Sequence, residues 1–285
     1  MTAFVEYLLT GVSRGLVFAL LAMGFVLIYR VTRVVNFAQG AFAIFGGFIT
    51  YSLLRAGVPQ GVSELLAVLI AALIGLVFGI ITIGGEIPLL ASLVITIGLS
   101  ILSEAIGMLV WGTIPITYSG LAGHDFVLFG AFIQRQYLIV VIASIVVFVV
   151  SAYVFGRTYF GKAMSACASN PYAARLSGIN VKRMGLIAFM LGGALGGLAG
   201  VLITPLSPIT YNADVSLAIT GFAAAIVGGL TSPGLAVLGG LVFGVAEQLV
   251  AGYWSPSNET AVALALLLVL LLWRQSRSLP VGGLE

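Results

Sequence analysis

Few residues in this 285-residue chain are able to do chemistry, and each sits in a setting that limits it. GRTYFGKA (156–163) satisfies G-x4-G-K, in which backbone amides and a lysine cradle phosphates. Ala163 stands where Ser or Thr would hold magnesium, and a membrane run rather than a strand precedes the motif. Tyr159 and Phe160 are also bulky for a loop wrapped around phosphate, so nucleotide binding is not expected there. His124 neighbours Asp125, but one His and one Asp cannot close a zinc site, which takes three or four protein ligands. The pair reads as a solvated loop, and no metal site is expected. Neither H-E-x-x-H nor G-x-S-x-G occurs. A single cysteine, Cys167, excludes an intrachain disulfide and a cysteine cluster. NET (258–260) has the form of a glycosylation sequon and reads better as a helix start with Asn258 as N-cap. The chain is expected to be no enzyme and to carry no cofactor of its own.

Ionisable and amide groups inside apolar runs say more, because they are costly in a bilayer unless paired or wetted. Glu104, Glu247 and Arg14 are such groups, and Asn36 and Gln39 form an i,i+3 polar pair. Two readings stay open for Asn36, Gln39, Glu104 and Glu247. They make interhelical hydrogen bonds, or they line a wetted pathway that accepts a zwitterionic solute.

The elements that must position these residues follow from composition. Charged residues are 7% of the chain and hydrophobic ones 61%, against about 25% charged in a soluble domain. The apolar residues come in long runs, which identifies an integral membrane protein with lipid as its surroundings. The formal charge of +3 is spread between those runs and reports orientation, not nucleic-acid binding.

Crossings are expected near Gly11–Tyr29, Val35–Leu54, Val62–Ile83, Ile87–Trp111, Tyr137–Phe155, Met184–Leu206, Leu217–Tyr253 and Glu259–Trp273. The seventh is too long for one helix and is broken at Thr231-Ser232-Pro233-Gly234, giving arms Leu217–Leu230 and Leu235–Tyr253. The fold class is therefore an all-α polytopic inner-membrane bundle of about 8–9 helices, with a broken or re-entrant element near 217–253. Residues 1–285 form one transmembrane domain. The first apolar helix is expected to serve as its own insertion signal. Placing 157–185 in the cytosol collects Arg30, Arg33, Arg157, Lys162, Arg175, Lys182, Arg183, Arg274 and Arg277 inside, with Arg55 and Arg135 outside. That predicts an external N-terminus, a cytosolic C-terminus and an external segment at 112–136.

Glycines fall three or four apart in GGALGGLAG (192–200), GFAAAIVGGL (221–230) and GLAVLGGLVFG (234–244), a spacing that lets helix backbones approach closely. Such faces pack within the chain, meet a second membrane subunit or line a pathway. The likeness of GAFAIFGGF (40–48) to GFAAAIVGGL suggests an internal repeat of the transporter type.

CASNPYAARLSGIN (167–180) breaks the apolar pattern. Asn170 suits N-cap, Pro171 suits N1 and Gly178 suits the left-handed C′ position, so Pro171–Ser177 is predicted as a short, self-terminating helix, with Asn180 capping the next. GKAMSACASNPYAARLSGINVKRMGLIAF (161–189) closely resembles the cytoplasmic coupling segment of permeases in the branched-chain amino acid ABC importer family. GLVFALLAMGFVLIYRVTRVVNFAQGAF (15–42), TIGLS (96–100), GGALGGLAGVL (192–202) and GFAAAIVGGLTSPGLAVLGGLVFGVAE (221–247) are similar to it in the same order. GGEIP (84–88) is shorter than the family's usual first internal loop, and 112–136 matches nothing in it.

The resemblance implies a permease subunit that moves branched-chain or other hydrophobic amino acids inward. It implies a homologous permease as heterodimer partner, two cytosolic ATPases that bind ATP and magnesium, and an extracytoplasmic solute-binding protein. It also implies a coupling contact at Asn170, Pro171, Ala173, Ala174, Leu176 and Gly178, within the cytosolic segment 157–185. The location implied is the bacterial inner membrane. Alternatives are an ABC permease for urea, amides or aromatic acids, and a self-contained secondary transporter or channel.

Overall fold

The computed structural model describes residues 2–85, 88–120, 126–128, 131–228, 230 and 232–253, with Ala265, Leu268 and Val269 beyond them. His124, Asp125, Asn258, Thr231 and the crossing expected at Glu259–Trp273 lie outside the described residues, the last apart from those three. Among the described residues ten helices run in order: α1 (Thr2–Thr32), α2 (Gln39–Arg55), α3 (Gln60–Ile83), α4 (Leu89–Trp111), α5 (Arg135–Arg157), α6 (Tyr159–Ser169), α7 (Pro171–Leu176), α8 (Val181–Ile203), α9 (Asp214–Val227) and α10 (Pro233–Tyr253). A two-stranded hairpin, β1 (Phe126–Leu128) with β2 (Ala131–Ile133), is the one addition to an all-α bundle among the described residues.

Among the described residues six helices are long and apolar enough to cross a membrane: α1, α3, α4, α5, α8 and α10. Two more of the expected crossings are corrected. The second does not begin at Val35, because residues 34–36 carry no regular structure and helix resumes only at Gln39. The arm drawn from Leu217 begins at Asp214 and holds 14 residues, about 21 Å of helix. Both short helices start inside the bundle. Gln39, the first residue of α2, donates from Nε2 to the Gly192 carbonyl at 2.9 Å, and Gly192 lies midway along the 23-residue α8.

Packing follows an inverted repeat. α1 lies along α10 as α8 lies along α3, and α9 packs on α1 and α10 as α2 packs on α8 and α3. α1 and α8 run antiparallel, with Ile28 facing Gly192 and Thr32 facing Gly185. The unit α1–α2–α3 is thus repeated upside down as α8–α9–α10, an arrangement of transporter folds. The two similar stretches at 40–48 and 221–230 fall on the repeat-related α2 and α9.

Small residues set both tight seams. A Cβ on Gly15 would lie 2.9 Å from Leu241 Cα, one on Gly11 2.8 Å from Val245 Cα, and one on Gly240 2.5 Å from Ala19 N. In the other repeat, Gly75 and Gly193 would each bring a Cβ within 2.9 Å of the other's Cα. Lipid gives apolar helices no reason to associate, so close backbone contact carries the attraction. The described glycine faces of 192–200 and 234–244 are therefore spent largely within this chain. The partner stripe Ala67, Ala71, Gly75, Gly79 on α3 was legible at four-residue spacing and escaped sequence reading. Outward faces of α3, α4 and α5 are apolar, as at Leu69, Leu73, Leu109, Ile142 and Val149.

Candidate functional site

At one end of the bundle α6, α7 and the start of α8 form a cap built by local chemistry. Thr158 accepts from the Gly161 amide to start α6, and Asn180 accepts from the Arg183 amide at 2.9 Å to start α8. Asn170 Oδ1 accepts from the amides of Tyr172 (3.0 Å) and Ala173 (3.1 Å), with Pro171 at the first helical position. At the far end the Ile179 amide donates to Ala174 O and the Gly178 amide to Arg175 O, both at 3.0 Å. This is the Schellman pattern, and Gly178 takes the required left-handed φ of +82°. Ser177 is the C-cap rather than part of the helix.

One cap at each end holds six residues as helix, far below the length at which a free peptide is helical. Asn170→Ala removes acceptors for two amides and is expected to cost about 1 kcal/mol of local stability. Faster hydrogen exchange at Tyr172–Leu176, with the rest of the bundle unchanged, is the measurement that checks it.

The exposed face differs from the expected one. Ala174 is 3% exposed and packs with Val31, Met164, Cys167 and Ala188, so it points into this chain and is withdrawn from the docking face. Helical phase decides this, since Tyr172 and Leu176 lie four apart on one face and Ala174, two residues from each, falls on the opposite one. Tyr172 (71%) and Leu176 (74%) stand outward, with Asn170, Pro171, Ala173, Arg175 and Gly178 exposed around them.

GRTYFGKA is the corner between α5 and α6, not a strand–loop–helix cradle. Tyr159 projects outward, and Gly161 lies against the backbone of Val154 and Phe155, leaving no room for phosphate.

The end cap is bonded to the neighbouring ends of α1 and α3. Arg33 Nη2 donates to Ala168 O at 2.7 Å, near the last turn of α6, and Lys182 Nζ donates to Gly84 O at the end of α3. Arg33 holds the left-handed region (φ +61°), uncommon for a residue with a side chain, exactly where α1 ends and the unwound stretch begins.

That stretch leads to a polar junction at mid-depth. Asn36 Oδ1 accepts from the Ala38 amide, and Thr96 Oγ1 of α4 accepts from the Phe37 amide at 3.3 Å, replacing lost helical bonds. Gly40 of α2 abuts Asp214 of α9, whose Oδ2 accepts from Ser100 Oγ at 2.5 Å. Asn36, Gln39, Thr96, Ser100 and Asp214 are all buried. The structure thus brings Asn36 and Gln39 together with three residues that sequence reasoning missed. The i,i+4 hydroxyls Ser92, Thr96 and Ser100 along one face of α4 were the available signal.

The two carboxylates separate. Glu104 is half-buried on α4, among the outward residues Ile101, Leu102 and Leu109. Glu247 is buried on α10 and shares a cavity with Arg14, which Glu104 does not reach.

The family described as "Branched-chain amino acid transport system / permease component" matches residues 7–272. The permease LivH of the high-affinity branched-chain amino acid transport system of Salmonella typhimurium is 27% identical over 94% of this chain and 93% of its own. The probable branched-chain amino acid transport permease LivH of Methanocaldococcus jannaschii is 32% identical over 85% of this chain and 79% of its own. Among solved structures, PsaBC from Streptococcus pneumoniae in complex with Fab aligns with a TM-score of 0.53 at 13% identity, over 95% of this chain and 91% of that one. At that identity the likeness is one of fold.

Proposed function

The chain belongs to the family of permease components of branched-chain amino acid transport systems, and from that premise we propose how its parts divide the work. It is a multi-pass transport subunit of an ATP-binding-cassette importer and no enzyme. The solute proposed is a branched-chain or other hydrophobic amino acid, delivered by an extracytoplasmic binding protein. A homologous permease completes the membrane unit, and two ATPase subunits hold ATP and magnesium. The end bearing α6 and α7 faces the cytosol of a bacterial cell and the N-terminus lies outside. The gathering of Arg30, Arg33, Lys162, Arg175 and Lys182 around that end supports the orientation.

One observation carries the coupling role: α7 is capped at both ends and turns Tyr172 and Leu176 outward at the basic end. A rigid, apolar, solvent-facing helix is built to be pressed by another protein. Its movement reaches the interior through Arg33 and Ala168 to the unwound stretch before α2, and through Lys182 to the end of α3. The membrane half of the cycle then opens and closes at the α2–α9 junction, where two short helices start inside the bundle beside the α4 bonds of Thr96 and Ser100.

Reconstitution into liposomes tests this. Leucine uptake that requires the ATPase subunits, ATP and binding protein together is the expected result. The inverted repeat also suits a secondary transporter, and uptake by this chain alone, driven by an ion gradient, would establish that reading instead.

A further inference from the structure

A cavity of about 190 Å³ opens between α1, α9, α10 and the connector after α8. Arg14 and Glu247 line it, joined by the hydroxyls of Ser216 and Thr220 and the apolar walls of Phe18 and Leu217. A cavity of about 150 Å³ takes benzene, so this one suits a single small solute rather than a peptide. Its lining has three chemistries at once: a guanidinium, a carboxylate and an aliphatic surface. Ionisable residues within a membrane mark solute pathways by default, with their partners part of the site.

We infer that this cavity is a transit site for a zwitterionic aliphatic amino acid. The solute's carboxylate meets Arg14, its ammonium meets Glu247, and its side chain lies against Phe18 and Leu217. Arg14 and Glu247 each already have an interaction partner, and an entering zwitterion replaces what it displaces by presenting each with an opposite charge. Hydroxyls at Ser216 and Thr220 are placed to share the remaining polar contacts. The inference rests on the importer reading and adds where, within one permease, the solute is held. Binding here is weak by design, since tight binding would slow release.

The test is a leucine titration of the melting temperature of the full chain, purified with its partner subunits and without the binding protein. A saturable rise is expected for the unaltered complex. Arg14→Gln and Glu247→Gln each weaken leucine about 10- to 100-fold, the range for a lost charged hydrogen bond. Leucinamide, which lacks the carboxylate, binds the unaltered complex and Arg14→Gln equally. N-acetylleucine, which lacks the ammonium, does the same with Glu247→Gln. Should either glutamine variant fail to assemble, Ser216→Trp fills the cavity from its exposed wall and is expected to abolish the rise while melting normally. A flat titration in the unaltered complex, or wild-type affinity in these variants, overturns the site. If ATP-driven leucine uptake persists beside a flat titration, the site alone is wrong; if the complete system moves only another solute class, the substrate reading is wrong.

Discussion

Leu176→Glu is expected to leave the permease folded and inserted yet reduce ATP-driven uptake to background. Leu176 is 74% exposed, so a carboxylate there meets water in the isolated chain and disturbs no packing. Against an ATPase groove the same carboxylate loses its water and gains no partner. Central apolar anchors of protein interfaces are worth about 2 kcal/mol or more, roughly 30-fold in affinity. Tyr172→Glu, on the same face, should act alike. Co-purification of the ATPase subunits with the tagged permease reads the effect directly. A variant that retains its ATPases and transports normally would remove α7 from the coupling contact. Ala174→Arg is not a substitute test, because that side chain would be driven into Val31, Met164 and Ala188 and would break the end cap itself.

The second large effect lies in the bundle. Gly244→Leu is expected to collapse assembly, because a Cβ at that position falls on the backbone of Gly15. Overpacking in an adaptable core costs about 1–3 kcal/mol. Backbone cannot move aside as a side chain does, so about 3 kcal/mol or more is expected here. Loss of the monodisperse complex in detergent is the readout. Gly61→Leu is the control, since nothing lies within 4 Å of a Cβ there. Gly193→Leu should match Gly244→Leu, because it faces the Ala71 carbonyl and Gly75 in the inverted copy of the seam. Normal assembly of both variants would contradict the repeat-related packing.

The bundle is secured by close backbone contact throughout: the α1–α10 and α3–α8 seams are backbone-close, and the short helices α2 and α9 meet where Gly40 abuts the Asp214 backbone. α4 is bonded beside each of them, Thr96 accepting from the Phe37 amide and Ser100 donating to Asp214.

The membrane class, the approximate spans and the caps of α7 were legible in the amino-acid sequence because each depends on neighbours within a turn or on bulk hydropathy. Asn170, Pro171 and Gly178 do their work through backbone groups two to five residues away. The tertiary structure decided the rest. It turned Ala174 inward, split Glu104 from Glu247, bonded Arg33 to Ala168 and joined Ser100 to Asp214 across 114 positions. A glycine stripe states that some backbone will come close without stating which one. An apolar helix shows lipid and protein the same chemistry, so the choice of partner emerges only when all the helices compete for the same space.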